Sequence, residues 1–336
     1  MSEIAIEIGS YSIKALARDV VNGRILKHIT EMPSWCAYEV SGNADNYYVG
    51  HNAKLWRFRN LAFPIYFKEN PNEFFRNVVK TIIQNIKTWA ELQFSNSPVQ
   101  AVHFVTPMYY NNNDPLKEDI TLAARETGST QVHFMPAHEA LCKRLSYVDD
   151  GKCTLVYDLG YKGLTISLFR RNKSTFEQVV QSECMKDSAG MKIDSVLIND
   201  MAKDAPEDLS STILLEDAAR QIKESLSLFK NYRCAVPGTG DTYAIDQAKF
   251  NDMISPIISE TFHATKTLLE KAKEQPAEIL MCGGTSRIPF VKNRLSYIAK
   301  EIAPNSFLND CTVLEDMNHM ACEGCFLTDT DIDISF

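Results

Sequence analysis

One plan is written into this chain twice, and that repetition limits its possible folds more than any other feature. Residues 3–30 alternate apolar and polar side chains, break at Gly9-Ser10, resume over Tyr11–Asp19 and turn at Asn22-Gly23. Asn-Gly between alternating runs is a strong hairpin signal, because the tight turn needs positive φ. Residues 153–182 follow the same course: Leu155-Val156-Tyr157-Asp158-Leu159-Gly160, then Tyr161–Arg170, then a polar turn at Arg171-Asn172-Lys173. Each copy places a carboxylate two residues before its first glycine, Glu7 before Gly9 and Asp158 before Gly160, and the copies lie about 150 residues apart. Self-similarity at that spacing predicts a duplicated, two-lobed chain. Two such loops facing each other across a cleft can offer backbone amides to phosphate, and the carboxylates at the strand ends can hold a hydrated Mg²⁺.

The length of 336 residues suits two lobes, and 45% hydrophobic with 23% charged residues is ordinary for a globular protein. A net charge of −8 argues against nucleic acid or an anionic membrane as partner, since both need clustered Lys and Arg. Met1-Ser2-Glu3-Ile4-Ala5 has neither the basic nor the apolar region of a signal peptide. No run approaches the roughly 18 apolar residues of a membrane span. Nine cysteines scattered through apolar segments read as reduced thiols, so a cytoplasmic location is expected. The one close pair, Cys322-x-x-Cys325, lacks a second pair or a nearby histidine at metal spacing; it reads as packing or as a redox pair.

Between the copies, Glu31–Lys54 is a further β region, and Asn70-Pro71-Asn72-Glu73 is a capping box opening a long amphipathic helix with Phe75, Val79, Ile82, Ile86 and Trp89 on one face. Val99–Pro107 is a buried strand, a helix runs from Asp114-Pro115 to near Gly128, Val132–Met135 is a strand and Pro136–Leu145 a helix. In the second half a helix begins at Ala189-Gly190, with Asp194 in its first turns. Another covers Leu215–Phe229 with Leu215, Ala219, Ile222, Leu226 and Phe229 on one face, and a third covers Asp246–Lys273. A last helix is expected near Asn318–Leu327.

The stretch from Ile279 to Leu295 joins an apolar run to Gly283-Gly284, then Thr285-Ser286-Arg287-Ile288-Pro289, after which Phe290, Val291, Leu295, Ile298 and Ile302 take helical spacing. This predicts a buried strand, a tight turn and a helix with Pro289 in its first turn. Glycines there let backbone approach a ligand, and the helix N-terminus behind them suits an anion or a polar ring; a plain turn is the alternative.

The wording Gly283-Gly284-Thr285-Ser286-Arg287-Ile288-Pro289 resembles the adenosine motif of the 70-kDa heat-shock chaperone (DnaK-type) ATPase domain, which typically reads Gly-Gly-Ser-Thr-Arg-Ile-Pro. Pro33-Ser34-Trp35, Val49-Gly50, Val105-Thr106-Pro107, Tyr109-Tyr110-Asn111, Gly190-x-x-x-Asp194, Lys223 and Ser227 also resemble segments of that family, in the same order along the chain. The resemblance implies an α/β, two-lobed actin-like ATPase fold of duplicated ribonuclease-H-like domains with a nucleotide cleft between the lobes. Lobe I would span 1–150, with an insert about 36–97 and a C-terminal helix about 316–336 packing back on it. Lobe II would span 151–315, with an insert about 190–274. ATP or ADP would then contact Gly9, Ser10, Tyr11, Gly160, Tyr161, Lys162, Gly163, Gly190, Lys223, Ser227, Gly283, Gly284, Thr285 and Arg287. Glu7 and Asp158 would serve in catalysis and hold Mg²⁺ through water.

The chain departs from the family in its chemistry. Of four carboxylates expected around the phosphates, Glu7 replaces an Asp and Asp158 is kept, whereas Met135 and Thr165 stand where the family has acids. Gly163 replaces a threonine, and Arg220 and Glu224 carry signs opposite to the family's. Glu139, one helical turn past Met135, either compensates or lies at the surface. Lys162 either adds positive charge near the phosphates or points to solvent. The family's phosphate-contacting lysine has no clear match beyond Lys68. The family continues into a peptide-binding domain, whereas here only Asp329–Phe336 remains; Ile332, Ile334 and Phe336 alternate with Asp331, Asp333 and Ser335 as a frayed end or an added strand. The expectation is an ATP- or ADP-binding protein with weakened Mg²⁺ binding and slow or absent hydrolysis, acting through a protein partner or co-chaperone. A small-molecule kinase and an actin-like filament protein are the alternatives within the superfold.

Overall fold

The computed structural model describes residues 1–27, 32–41, 44–59, 62–65, 73–108, 115–186, 188–202, 209–314 and 317–327. Lys68, the Asn70–Asn72 cap, Tyr109–Asn111, Asp114 and the tail from Asp329 lie outside the described residues. Two compact units emerge: Met1–Leu145 with the segment that begins at Asn318, and Ser146–Met317.

In the first unit, strands β1 (Ser2–Ile8), β2 (Ser12–Asp19), β3 (Ile25–Lys27) and β4 (Met32–Pro33) lead to β5 (Trp35–Ser41), β6 (Ala44–Val49), helix α1 (His51–Leu55) and β7 (Ala62–Pro64). Then follow α2 (Glu73–Gln93), β8 (Val99–Thr106), α3 (Pro115–Glu126), β9 (Gln131–Pro136) and α4 (Ala137–Leu145). The main sheet has the order β3-β2-β1-β8-β9 with β4 against β2, and β6-β5-β7 form a smaller sheet. The Asn22-Gly23 turn forms as expected, with Gly23 at φ +69° and its amide donating to the Asp19 carbonyl. The apolar face of α2, Phe75, Val79, Ile82 and Ile86, is buried in one core with Ile4 and Ile6 of β1 and Phe104 of β8. That burial, more than helix propensity, fixes α2.

The second unit repeats the plan. Strands β10 (Cys153–Leu159), β11 (Gly163–Asn172), β12 (Thr175–Gln178) and β13 (Glu183–Lys186) precede α5 (Gly190–Met201), α6 (Leu209–Leu226), β14 (Asn231–Ala235) and β15 (Thr242–Asp246). The chain continues through α7 (Gln247–Ala272), β16 (Glu278–Cys282), α8 (Pro289–Ile302) and β17 (Phe307–Asp310). The sheet order is β12-β11-β10-β16-β17 with β13 against β11, the same path as in the first unit. In both, the first strand is antiparallel to the second and parallel to the fourth in the path, so the internal duplication read from the sequence is a duplication of topology.

Some boundaries differ from expectation. Phe229, expected on the buried face of α6, lies beyond the helix end and is 61% exposed. The Leu228 and Phe229 amides turn back to the Ser225 carbonyl, which closes the helix early. The last helix is shorter than expected: α9 covers Met320–Gly324 after a 3-10 turn at Met317–His319. A side chain at Gly324 would put its Cβ 2.0 Å from the Ala140 carbonyl oxygen, so α9 and α4 touch backbone to backbone. Arg144 and Glu323 pair beside this contact at 2.7 Å. All nine cysteines are thiols. Burial pushes Cys325 up to about 12 and Cys322 well above the usual thiol range. Thiols held so far from ionisation suit packing rather than redox exchange. No described helix is long and apolar enough to cross a membrane.

Candidate functional site

The β10–β11 hairpin carries the residues expected to face phosphate. Its turn is closed by the Gly160 amide donating to the Gly163 carbonyl at 3.0 Å. A Cβ at Gly163 would lie 2.1 Å from the Met185 carbonyl oxygen, so β13 approaches β11 where only glycine fits. Gly163, which reads in the sequence as a lost threonine, is thus required by the sheet. Asp158 stands directly across the hairpin from Thr165 and beside Cys282 of β16. The Thr165 hydroxyl points to the Cys184 thiol at 3.9 Å. Lys162, at the turn, is half-buried.

The β1–β2 hairpin is its counterpart in the first unit. The Gly9 amide donates to the Ser12 carbonyl at 3.0 Å, the Ser34 hydroxyl donates to the Gly9 carbonyl at 2.5 Å, and the Ser34 amide donates to the Tyr11 carbonyl at 3.0 Å. Ser10 is half-buried and Tyr11 exposed. Glu7 stands across from Lys14 and accepts its ammonium at 3.0 Å. In register, Lys14 is to Glu7 what Thr165 is to Asp158. Met135 ends its sheet beside Val105, its carbonyl accepting from the Thr106 hydroxyl at 3.3 Å. Glu139 lies near Lys143, 3.8 Å away, and remains partly exposed.

The turn after β16 is built as its sequence predicts. Gly283 adopts φ +85°, and a Cβ there would lie 2.3 Å from the Leu159 carbonyl oxygen and 2.4 Å from Asp158 Oδ1. A 3-10 turn, Gly284–Arg287, follows, and α8 starts at Pro289. The Thr285 hydroxyl donates to the Gly160 carbonyl at 2.7 Å, which ties this turn to the β10–β11 hairpin. Ser286 is buried and donates back to the Cys282 carbonyl at 2.6 Å. Arg287 is exposed. At Gly284 a Cβ would meet nothing within 4 Å, so the backbone there borders open space.

The start of α5 completes the second unit's cluster. The Gly190 amide donates to the Gly160 carbonyl at 3.2 Å and the Met191 amide to the Tyr161 carbonyl at 2.7 Å. Lys223, on α6, is buried and ion-paired with Asp194 at 2.6 Å, and also donates to the Gly190 carbonyl at 3.2 Å. Burial pushes the Asp194 carboxyl up and the Lys223 ammonium down, against the attraction each offers the other. Tyr161 lies against this pair, with the Lys223 ammonium and the Arg220 guanidinium carbon each 5.4 Å from its ring centre. Ser227 stands apart in role: its hydroxyl donates to the Lys223 carbonyl at 2.9 Å and closes the end of α6.

The second unit therefore joins Asp158, Gly160, Tyr161, Gly163, Gly190, Lys223, Gly283 and Thr285 into one connected cluster. Glu7, Gly9, Ser10, Tyr11 and Met135 belong to the other unit. Asp194 is a member of the cluster that sequence reasoning did not place in the site, although its spacing from Gly190 on one helix was visible. Gly284, in a turn pinned by Gly283 and Thr285, is exposed and leaves its backbone open on that side. The donor set for Mg²⁺ is a poorer fit. Among the described residues no group of three or more His, Cys, Asp or Glu could hold a metal, and the partners facing Glu7 and Asp158 are Lys14 and Thr165. No catalytic step is therefore derived through Mg²⁺.

Comparison with known proteins agrees with this architecture. The family model described as Hsp70 protein matches residues 68–313. Heat shock 70-related protein 5 of Dictyostelium discoideum is 25% identical over 244 residues, covering 65% of this chain and 47% of that protein. Chaperone protein DnaK of Picrophilus torridus is 26% identical over 230 residues, covering 63% of this chain and 37% of that protein. The chain thus matches less than half the length of either relative.

Proposed function

The chain belongs to the Hsp70 family, with the family's actin-like ATPase fold, and from that premise we propose that it binds ATP or ADP, hydrolyses ATP slowly or not at all, and signals its nucleotide state to a protein partner. The observation that carries the binding is the open space at Gly284, bordered by backbone that Gly283 and Thr285 hold in place. The nucleoside would rest on the Gly283–Arg287 turn, with the exposed Arg287 available to its polar edge. The bound nucleotide would supply the phosphoanhydride. The chain's own residues would orient it by backbone at Gly160–Gly163 and by charge at Lys162.

Slow turnover follows from what faces each carboxylate. Asp158 has a hydroxyl across the hairpin where a second acid would help position metal and water, Glu7 is neutralised by Lys14, and Met135 offers no acid at all. The nine thiols suit a cytoplasmic setting, and a co-chaperone is the class of partner the family membership suggests.

Calorimetry on the wild type and Gly284→Trp tests the reading. The wild type should bind ADP with a dissociation constant below about 1 mM. Gly284→Trp, whose side chain enters open space, should fold normally and give no binding heat. A wild type that binds no adenine nucleotide at that concentration overturns the proposal.

A further inference from the structure

The loop between β10 and β11, expected to take phosphate, has its own carbonyl oxygens occupied. The Gly160 carbonyl accepts from the Gly190 amide at 3.2 Å and from the Thr285 hydroxyl at 2.7 Å. The Tyr161 carbonyl accepts from the Met191 amide at 2.7 Å, and the Gly163 carbonyl from the Gly160 amide at 3.0 Å. Mg²⁺ demands a near-octahedral shell of oxygens, whereas these oxygens are already committed to hydrogen bonds. Asp158 is the one acid between Cys153 and Asn172, so the hairpin adds a single carboxylate to such a shell.

Positive charge stands there instead. Lys162 is the only charged residue between Asp158 and Arg170, and it lies half-buried in the loop. Lys186 of β13 stands directly across from Gly163, and Cys184, two residues earlier, stands across from Thr165. Thr165 in turn faces Asp158, so Asp158, Thr165, Cys184 and Lys186 share one face of the sheet. Lys186 is exposed, and Asp187 after it lies outside the described residues. We propose that Lys162 and Lys186 take the place of Mg²⁺ at the phosphates, so that the chain binds ADP as the metal-free anion. An ammonium brings three donors and a compact charge, and its bonds to phosphate oxygens are charge-assisted. It needs no oxygen shell from the loop, so the occupied carbonyls are no obstacle to it. Metal-free ADP also carries more negative charge than its Mg²⁺ complex, and two lysines favour the more negative form. A Mg²⁺ ion beside them would be repelled by both and attracted by Asp158 alone among the hairpin's side chains.

The inference rests on the nucleotide reading, and the test separates the two. ADP and adenosine are titrated calorimetrically into wild type, Lys162→Gln and Lys186→Gln, in millimolar Mg²⁺ and in EDTA. The wild type should bind ADP in EDTA within about threefold of its affinity in Mg²⁺, or tighter. In EDTA, Lys162→Gln should lower the ratio of ADP to adenosine affinity about tenfold, and Lys186→Gln about threefold. Lys186 is exposed, so Lys186→Gln carries the test if Lys162→Gln does not fold. A wild type whose ADP affinity falls by more than about threefold in EDTA overturns the metal-free site and leaves nucleotide binding intact. Variants that keep the wild-type ratio of ADP to adenosine affinity overturn the role of the lysines. A wild type that binds neither ligand in either buffer overturns the nucleotide reading and this inference with it.

Discussion

The β1–β2 and β10–β11 hairpins share a backbone plan and differ at nearly every position that carries charge. Counting from the first glycine of each turn, Glu7 corresponds to Asp158, Lys14 to Thr165, Ser12 to Gly163 and the pair Glu3–Arg18 to Thr154–Phe169. In the first hairpin both acids of β1 are answered across the strands by a base: Lys14 meets Glu7 at 3.0 Å, and Arg18 pairs with Glu3. In the second, hydroxyls and apolar groups stand at those places, and the charges gather instead beyond the turn, at Asp194, Arg220 and Lys223. Duplication preserves the strand pairing, because register and core burial depend on it, while charge on the rim is free to diverge. The first hairpin pairs the acids of β1 with bases of β2, whereas the second keeps an electrostatic cluster beside its loop.

Exchanging the residues that differ breaks this comparison, and the largest effect is expected at the fourth turn position. Gly163→Ser gives the second hairpin the residue of the first, but its Cβ would lie 2.1 Å from the Met185 carbonyl oxygen. A backbone clash of that size should cost about 3 kcal/mol or more in urea unfolding. The reciprocal Ser12→Gly should cost only about 1 kcal/mol, through lost strand rigidity. Equal costs would show that the two hairpins are packed alike.

A smaller effect is expected from Thr165→Asp. Like charges directly opposite on paired strands should lower stability by about 1 kcal/mol in metal-free buffer. Millimolar Mg²⁺ should restore it. A loss of stability that Mg²⁺ leaves unchanged would show that the facing acids do not form a cation site.

Acid should separate the hairpins by the smallest margin. Burial alone would raise Glu3, but hydrogen bonding and charge from His103 and Arg18 bring its carboxyl below the usual range. Burial, with the charge of His103, holds His133 below the ordinary imidazole value. In both cases the unfolded chain takes up protons first as pH falls, so each contribution is present at neutral pH and lost on acidification. The His133 contribution should fade below 6.5 and that of Glu3 below 4.5. First-unit amides should lose more protection than second-unit amides between pH 7 and pH 4, where the lowered Asp310 carboxyl is set against an Asp194 carboxyl that burial raises. Glu3→Gln should reduce that difference.

Alternation and glycine placement made the hairpins, the duplication and the strand–turn–helix at Gly283–Pro289 legible in the sequence, because each rests on local backbone preference. The cluster around Tyr161 was not legible in the same way. Tyr161, Asp194 and Lys223 lie on three separate elements, and only the packing of α5 and α6 onto the β10–β11 turn brings them together. Lys223 could be singled out, but not the ion pair that occupies it. The early end of α6 was missed because Phe229 continues the apolar spacing although the chain has already turned. Gly163 looked like a loss of chemistry when judged against the family's threonine, whereas the neighbouring strand explains it sterically.

Hydrogen exchange in the presence of saturating ADP tests the nucleotide site most directly. Binding at the second unit's turn should slow exchange at Gly284–Arg287 by about tenfold or more, and Gly284→Trp should abolish that slowing. Exchange at Gly284–Arg287 that ADP leaves unchanged, with protection appearing elsewhere in the chain, would contradict the account.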